Sequence, residues 1–153
     1  MPLEIERKFL VKGDEWKTDN GMHIVQGYLN NDRERTVRVR ISGAKAFLTI
    51  KGVSTGATRA EFEYEIPVVD AEQLLRLCEG PLIEKTRHEV AFAGMTWEVD
   101  EFQGANEGLV VAEIELETAG QTFVQPPWVG PEVTADARYF NSSLAVRPYK
   151  SWR

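Results

Sequence analysis

Seven short segments of this chain alternate strictly, with ionisable side chains on one parity and apolar ones on the other. Successive strand residues point to opposite faces, so Glu4, Glu6 and Lys8 share one face while Ile5, Arg7 and Phe9 share the other. The same parity gathers Arg38 with Arg40, Thr49 with Lys51, and Arg59 with Glu61, Glu63 and Glu65. It also gathers Lys85 with Arg87, Glu98 with Asp100, and Glu113 with Glu115 and Glu117. Charge is therefore collected on one face, and the residues between, such as Val37, Val39, Leu48, Phe62, Trp97, Val99 and Ile114, form an apolar face that needs its own cover.

Strands are predicted over 3–11, 23–30, 35–42, 46–52, 59–67, 83–92, 96–102 and 109–117, divided by Gly, Asn, Asp or Ser signals. Gly43 and Gly94 mark hairpin turns, residues 52–57 form a flexible loop, and the order suggests an antiparallel meander. Three helices are expected to interrupt it. Asp70 caps one running to about Glu79, ended by Gly80-Pro81. Thr118 with Gln121 resembles a capping box that opens a short helix stopped by Pro126-Pro127. Thr134 caps the third, to about Ala145, with Arg138 and Asn141 on one side and Tyr139, Phe140 and Leu144 available for packing.

The 153 residues fit one domain with no internal repeat, low-complexity tract or linker. Met1-Pro2 leads straight into charged alternation and no apolar run approaches the roughly 20 residues of a membrane span, so a soluble, cytoplasmic protein is expected. The lone Cys78 forbids an intramolecular disulfide and, set among leucines, reads as structural. A net charge of −6 argues against nucleic-acid binding, so any anion must be met locally. His23 and His88 lack a ligand cluster and read as surface or packing residues. Pro126-Pro127-Trp128 and Pro148-Tyr149 read as core closures, and Trp152 as disordered or folded back.

Two readings of the charged face compete. In one, a sheet buries its apolar side and water solvates the charges. In the other, the strands bring the charges together. Glu61-Glu63-Glu65 and Glu113-Glu115-Glu117 set like charges roughly 7 Å apart along a strand, a repulsion that cross-strand cations or metals would relieve. Basic residues are concentrated instead as Arg38/Arg40 and Lys85/Arg87, and paired guanidinium groups suit phosphate oxygens. If the sheet closes into a barrel, these faces line its interior. Such a lumen suits a metal–polyphosphate complex, because hard divalent cations prefer carboxylate, water and phosphate oxygens.

Glu4-x-Glu6-x-Lys8 resembles the signature of the CYTH domain, or triphosphate tunnel metalloenzymes. Arg38-x-Arg40, Lys51, Glu61-Glu63-Glu65, Lys85-x-Arg87, Asp100, Glu113-x-Glu115 and Asp136-x-Arg138-Tyr139 follow in that family's order, across nearly the whole chain. The resemblance implies a mainly β (α+β) fold, an eight-stranded antiparallel closed barrel with a few flanking helices. It also implies phosphate binding by Lys8, Arg38, Arg40, Lys51, Lys85, Arg87 and Arg138. Glu4, Glu6, Glu63, Asp100, Glu113 and Glu115 would hold one or two divalent cations, Mg²⁺ or alternatively Mn²⁺, directly or through water. Glu98 and Glu117 read as structural.

The opening Glu4-Ile5-Glu6-Arg7-Lys8-Phe9-Leu10-Val11, followed by Gln26-Gly27-Tyr28-Leu29, looks most like the small members that hydrolyse inorganic tripolyphosphate. In those a Tyr and Lys pair is implicated in activating water, which maps to Tyr28 and Lys51. A Lys acts as a base only where neighbouring cations and burial lower its pKa, and the surrounding arginines are expected to do so. Tyr28 reads equally as a barrel aromatic. The implied partner is a small triphosphate, with no nucleic acid or membrane and with homodimer formation left open. The rival functions are a class IV adenylyl cyclase, a thiamine or nucleoside triphosphatase, and a non-catalytic polyphosphate-binding module.

Overall fold

The structure, a computed structural model, describes residues 3–152. Five strands come first: β1 (Leu3–Val11), β2 (Met22–Asp32), β3 (Arg35–Ser42), β4 (Lys45–Gly52) and β5 (Thr58–Ile66). Helix α1 (Val68–Leu75) precedes β6 (Glu79–Phe92), β7 (Met95–Phe102), β8 (Val110–Glu115), β9 (Val129–Glu132) and helix α2 (Asn141–Val146). Short 3₁₀ turns occupy Gly104–Asn106, Ala137–Tyr139 and Tyr149–Ser151.

All strand pairs are antiparallel, in the order β5-β4-β3-β2-β6-β7-β8-β1. Pairing of Leu3 with Ala60 and Glu4 with Arg59 joins β1 back to β5, so eight strands close into a barrel. β9 adds a short outer strand on β1. The expected hairpins are present, with Gly43 and Gly94 at φ values of +60° and +81° that side chains resist.

The alternation holds, with the charges inward. Apolar residues therefore pack on the outer wall, where segments of the same chain cover them. Trp97, Val99 and Ile114 lie beneath Trp128, Trp16 and Phe9, and Trp97 meets Phe9, Phe123 and Trp128 edge-to-face. On another side α1 lays Ala71 over Val39 and Ala46. A third cluster plugs one end of the lumen: Ile83, Phe102 and Val111, on the inward parity, pack with Tyr28 against Tyr139, Leu144 and Ala145. Arg7, the one charge on the apolar parity of β1, donates twice to Glu132 and stacks over Phe9 and Phe123. Trp152 folds back onto Tyr139 and Tyr149.

The helices differ most from expectation. α1 begins after Pro67, whose fixed φ presets the turn, and Asp70 sits inside the first turn instead of capping it. It stops at Leu75 because Glu79 already pairs with Tyr28 in the β2–β6 ladder, so Gly80-Pro81 lie within a strand. No helix follows Thr118; Gln121 accepts the Glu117 N–H in a tight turn. Thr134 does not cap either: its hydroxyl accepts from the Lys8 N–H and donates to Glu132, fastening the chain to β1. The third helix is split at Phe140, whose extended backbone separates the Ala137–Tyr139 turn from α2. Among the described residues no helix is long and apolar enough to cross a membrane.

Trp97 is sealed and touches three aromatic rings, so Trp97→Ala leaves a cavity that the stiff sheet cannot collapse. We expect urea unfolding to show a loss of about 3–5 kcal/mol, and a loss below ~1 kcal/mol would mean that the outer core is not the barrel's support.

Candidate active site

The inward faces meet in one cavity of about 230 Å³. Glu4, Glu6, Lys8, Tyr28, Arg38, Arg40, Lys51, Glu63, Arg87, Glu113 and Glu115 line it, as the alternation requires. Lys85 and Asp100 lie behind that lining, 2.7 Å apart with side chains 0% and 1% exposed. Arg138 is elsewhere. It is exposed on the far side of the Ala137–Tyr139 turn, paired with Asp136 at 2.7 Å and stacked on Trp152. Glu98 also borders the cavity, 3.3 Å from Arg87, while Glu65 and Glu117 are exposed. His23 is exposed and pairs with Glu84, whereas His88 is buried as a packing residue against Trp16.

Strand register sorts the two signs. β3 and β6 carry Arg38, Arg40, Lys85 and Arg87, whereas β1, β5 and β8 carry Glu4, Glu6, Glu61, Glu63, Glu113 and Glu115. Arg87 donates to both Asp100 oxygens at 2.7 and 2.9 Å. Burial alone would raise Asp100, but Arg87 and then Lys85 outweigh it and hold this carboxyl well below its usual range. Burial with Arg38 and Arg87 nearby pulls Arg40 down to about 9, leaving it a cation at neutral pH. Arg38 reaches Thr49 at 3.3 Å and Glu63 at 3.8 Å, yet its buried Nε has no acceptor. An orphaned buried donor of this kind carries a cost of about 1–3 kcal/mol that an incoming oxygen would relieve.

On the acidic side the carboxylates lie in pairs. Burial, followed by the adjacent Glu113, raises Glu6 well above the ordinary carboxylate range. For Glu113 burial also raises the pKa, but Lys8 at 3.4 Å and hydrogen bonding with Glu6 outweigh it and hold Glu113 low. Glu61 is pushed up to about 7 by burial and by Glu4. Glu4 in turn accepts from Lys51 through both oxygens at 3.0 Å, and Lys51 stands 3.6 Å from Glu61. The groups touching Lys51 are thus carboxylates and not the arginines that its proposed role as a base relied on.

A divalent cation fits these pairs. Among the described residues no three acidic, imidazole or thiol groups form a ready cage. Mg²⁺ does not need one, since it is commonly held by one or two carboxylates with water and phosphate oxygens. Carboxyl groups that must share a proton are ones a cation would relieve.

Two side chains at the heart of the site were not singled out by the charge pattern. Gln26 is fully buried on the inward face of β2, opposite Arg40. Its Oε1 accepts from Arg40 Nε at 2.7 Å, and its Nε2 donates at 2.8 Å to Asn141 Oδ1, the first residue of α2. Asn141 Oδ1 also accepts from Lys85 Nζ at 2.8 Å. Neutral amides carry no charge signal, but the inward parity of Gln26 with Ile24 and Tyr28 could have placed it.

Comparison with known proteins gives one consistent result. The model of the CYTH domain family matches residues 2–149. An inorganic triphosphatase of Acetivibrio thermocellus is 52% identical over 155 residues, covering 100% of this chain and 99% of its own. One from Nitrosomonas europaea is 40% identical over 150 residues, covering 94% and 97%. A crystal structure of an inorganic triphosphatase superposes with a TM-score of 0.66 at 38% identity, over 95% of this chain and 96% of that one.

The Glu61 pKa of about 7 sets a stability slope. A carboxyl whose folded pKa exceeds its ordinary 4.5 binds its proton more tightly when folded, so stability falls as pH rises between about 4.5 and 7. In chelator-treated protein, Glu61→Gln should flatten part of that slope and raise stability above the window. Urea midpoints of variant and wild type that run parallel across the window would refute the assignment.

Proposed function

The chain belongs to the CYTH domain family, and we propose that it hydrolyses inorganic tripolyphosphate to pyrophosphate and phosphate with the help of a divalent cation. The observation that carries this reading is the meeting, in one small lumen, of buried cations, including an Arg38 Nε without a partner, with a facing group of carboxylates. The two inorganic triphosphatases that match nearly the full chain support it.

In this reading Lys8, Arg38, Arg40 and Arg87 hold the phosphate chain, and Lys85 stands behind them. Asp100 serves by fixing Lys85 and Arg87 in place. Glu4, Glu6, Glu63, Glu113 and Glu115 are the residues that would hold the cation, for which Mg²⁺ is the first choice and Mn²⁺ the second. When bound, it supplies charge neutralisation and polarisation of the terminal phosphoryl group.

We assign Tyr28 and Lys51, which line the lumen from β2 and β4, to the orientation of the attacking water. Lys51 already donates to Glu4, so its part is to orient by donation. The arginines then stabilise the charge on the departing pyrophosphate. Arg138, exposed and paired with Asp136, is given no part in holding the substrate.

The test is phosphate release from tripolyphosphate, ATP, thiamine triphosphate and pyrophosphate, each with Mg²⁺, Mn²⁺ or EDTA, with the ATP reaction assayed for cyclic AMP. We expect rapid, metal-dependent release from tripolyphosphate. Glu4→Gln, Arg40→Ala and Lys51→Ala should each lower kcat/KM by about 10²-fold or more while staying folded. Cyclic AMP production, or tight binding without turnover, would replace the triphosphatase reading by a cyclase or a binding module.

A further inference from the structure

Asn141 lines the lumen with its side-chain oxygen engaged twice and its amino group not engaged at all among the described residues. Arg40 is a donor only, so it must meet an oxygen, and Lys85 Nζ donates to one as well. That requirement fixes both amides: Gln26 turns its Oε1 to Arg40 and its Nε2 to Asn141, and Asn141 turns its Oδ1 to Gln26 and Lys85. With its oxygen held by two donors, Asn141 cannot flip without setting N–H against N–H. Its Nδ2 is left on the cavity side, where Asn141 lines the lumen, and has no hydrogen-bond partner among the described residues. Tyr139, Leu144 and Ala145, which flank Asn141 in the chain, pack into the apolar plug and so anchor the segment that carries it.

We propose that Asn141 is a substrate-binding residue, whose Nδ2 donates to a phosphoryl oxygen of the triphosphate at the plugged end of the lumen. The inference rests on the triphosphatase reading. A neutral donor suits that end because Arg40 and Lys85 are already desolvated there, and another cation would add to their repulsion. A carboxamide adds hydrogen bonds and direction without adding charge. Its orientation is held before the substrate arrives by the same cations that share the substrate's charge.

Asn141→Asp separates this role from a structural one. An aspartate keeps an oxygen for both Gln26 and Lys85, so a residue needed only as their acceptor would tolerate the change. A residue that donates to phosphate would not, since an acceptor then faces an acceptor. We expect Asn141→Asp to fold with a melting temperature near that of wild type, and to lose on the order of 10²-fold in kcat/KM for tripolyphosphate, mostly through KM.

A second measurement is free of the charge change. In ¹H–¹⁵N spectra of wild-type protein with Mg²⁺, the side-chain NH₂ pair that is missing from Asn141→Asp should move downfield as a non-hydrolysable imido analogue of tripolyphosphate is added. Unchanged kinetics in Asn141→Asp, or an NH₂ pair that stays in place while backbone amides of the lumen strands shift, would overturn the assignment. Wild-type protein that neither binds nor hydrolyses tripolyphosphate would overturn the triphosphatase reading itself, and this inference with it.

Discussion

Ions enclosed in a barrel must neutralise one another, because taking each out of water costs several kcal/mol that only close partners return. The Lys85–Asp100 pair, sealed behind the lumen and joined there by Arg87 from the lining, meets that demand, and the surrounding register extends it. Lys8 faces Glu113, Lys51 faces Glu61, and Thr49 stands between Arg38 and Glu63, all as cross-strand neighbours. A slip of one residue in any ladder would turn a row of charges out and a row of valines and aromatics in. The interior charge is therefore what specifies the pairing, and the fold has little freedom to vary it.

The same constraint moves the hydrophobic core to the outside. Eight strands leave room for side chains and little else, and here ions and the lumen take that room. Trp97, Val99 and Ile114 consequently face outward and require cover, which the strap carrying Phe123 and Trp128 provides. α1 covers Val39 and Ala46. The C-terminal segment does two tasks at once, since the side chains that close the end of the barrel also hold Asn141 at the floor of the lumen.

Strands and lumen residues were legible because a single rule, period-two alternation, governs both. The rule fails where contacts distant in sequence decide. α1 is shortened because Glu79 is claimed by the β2–β6 ladder, a pairing that no local signal announces. Thr134 has the chemistry of a cap but spends it on Lys8, a partner 126 residues away. Arg138 has the family's motif position, yet Asp136 at two residues' distance and Trp152 hold it outside. Gln26 and Asn141 were missed for the opposite reason: they matter through hydrogen bonds, and a search for charge passes over neutral amides. Arg7 shows that alternation sorts residues by face and not by polarity, its guanidinium being satisfied on the outer wall by Glu132.

Most lumen cations already have carboxylate partners, and this shapes how the proposed ligands would enter. A triphosphate arriving alone would draw Lys8, Lys51 and Arg87 from Glu113, Glu4 and Glu98, stranding buried carboxylates. A divalent cation arriving alone would take those carboxylates and strand the ammonium and guanidinium groups. Entering together, each ligand would receive what the other released: carboxylates would be free to hold the metal and cations to hold the phosphate, and no ion would be left without a counterion. Each proposed ligand would then raise the affinity for the other, and by the same factor, as the reciprocity of linked binding requires. An interior in which most cations are paired would resist solitary anions, which suits the proposed phosphate site in a chain of net negative charge.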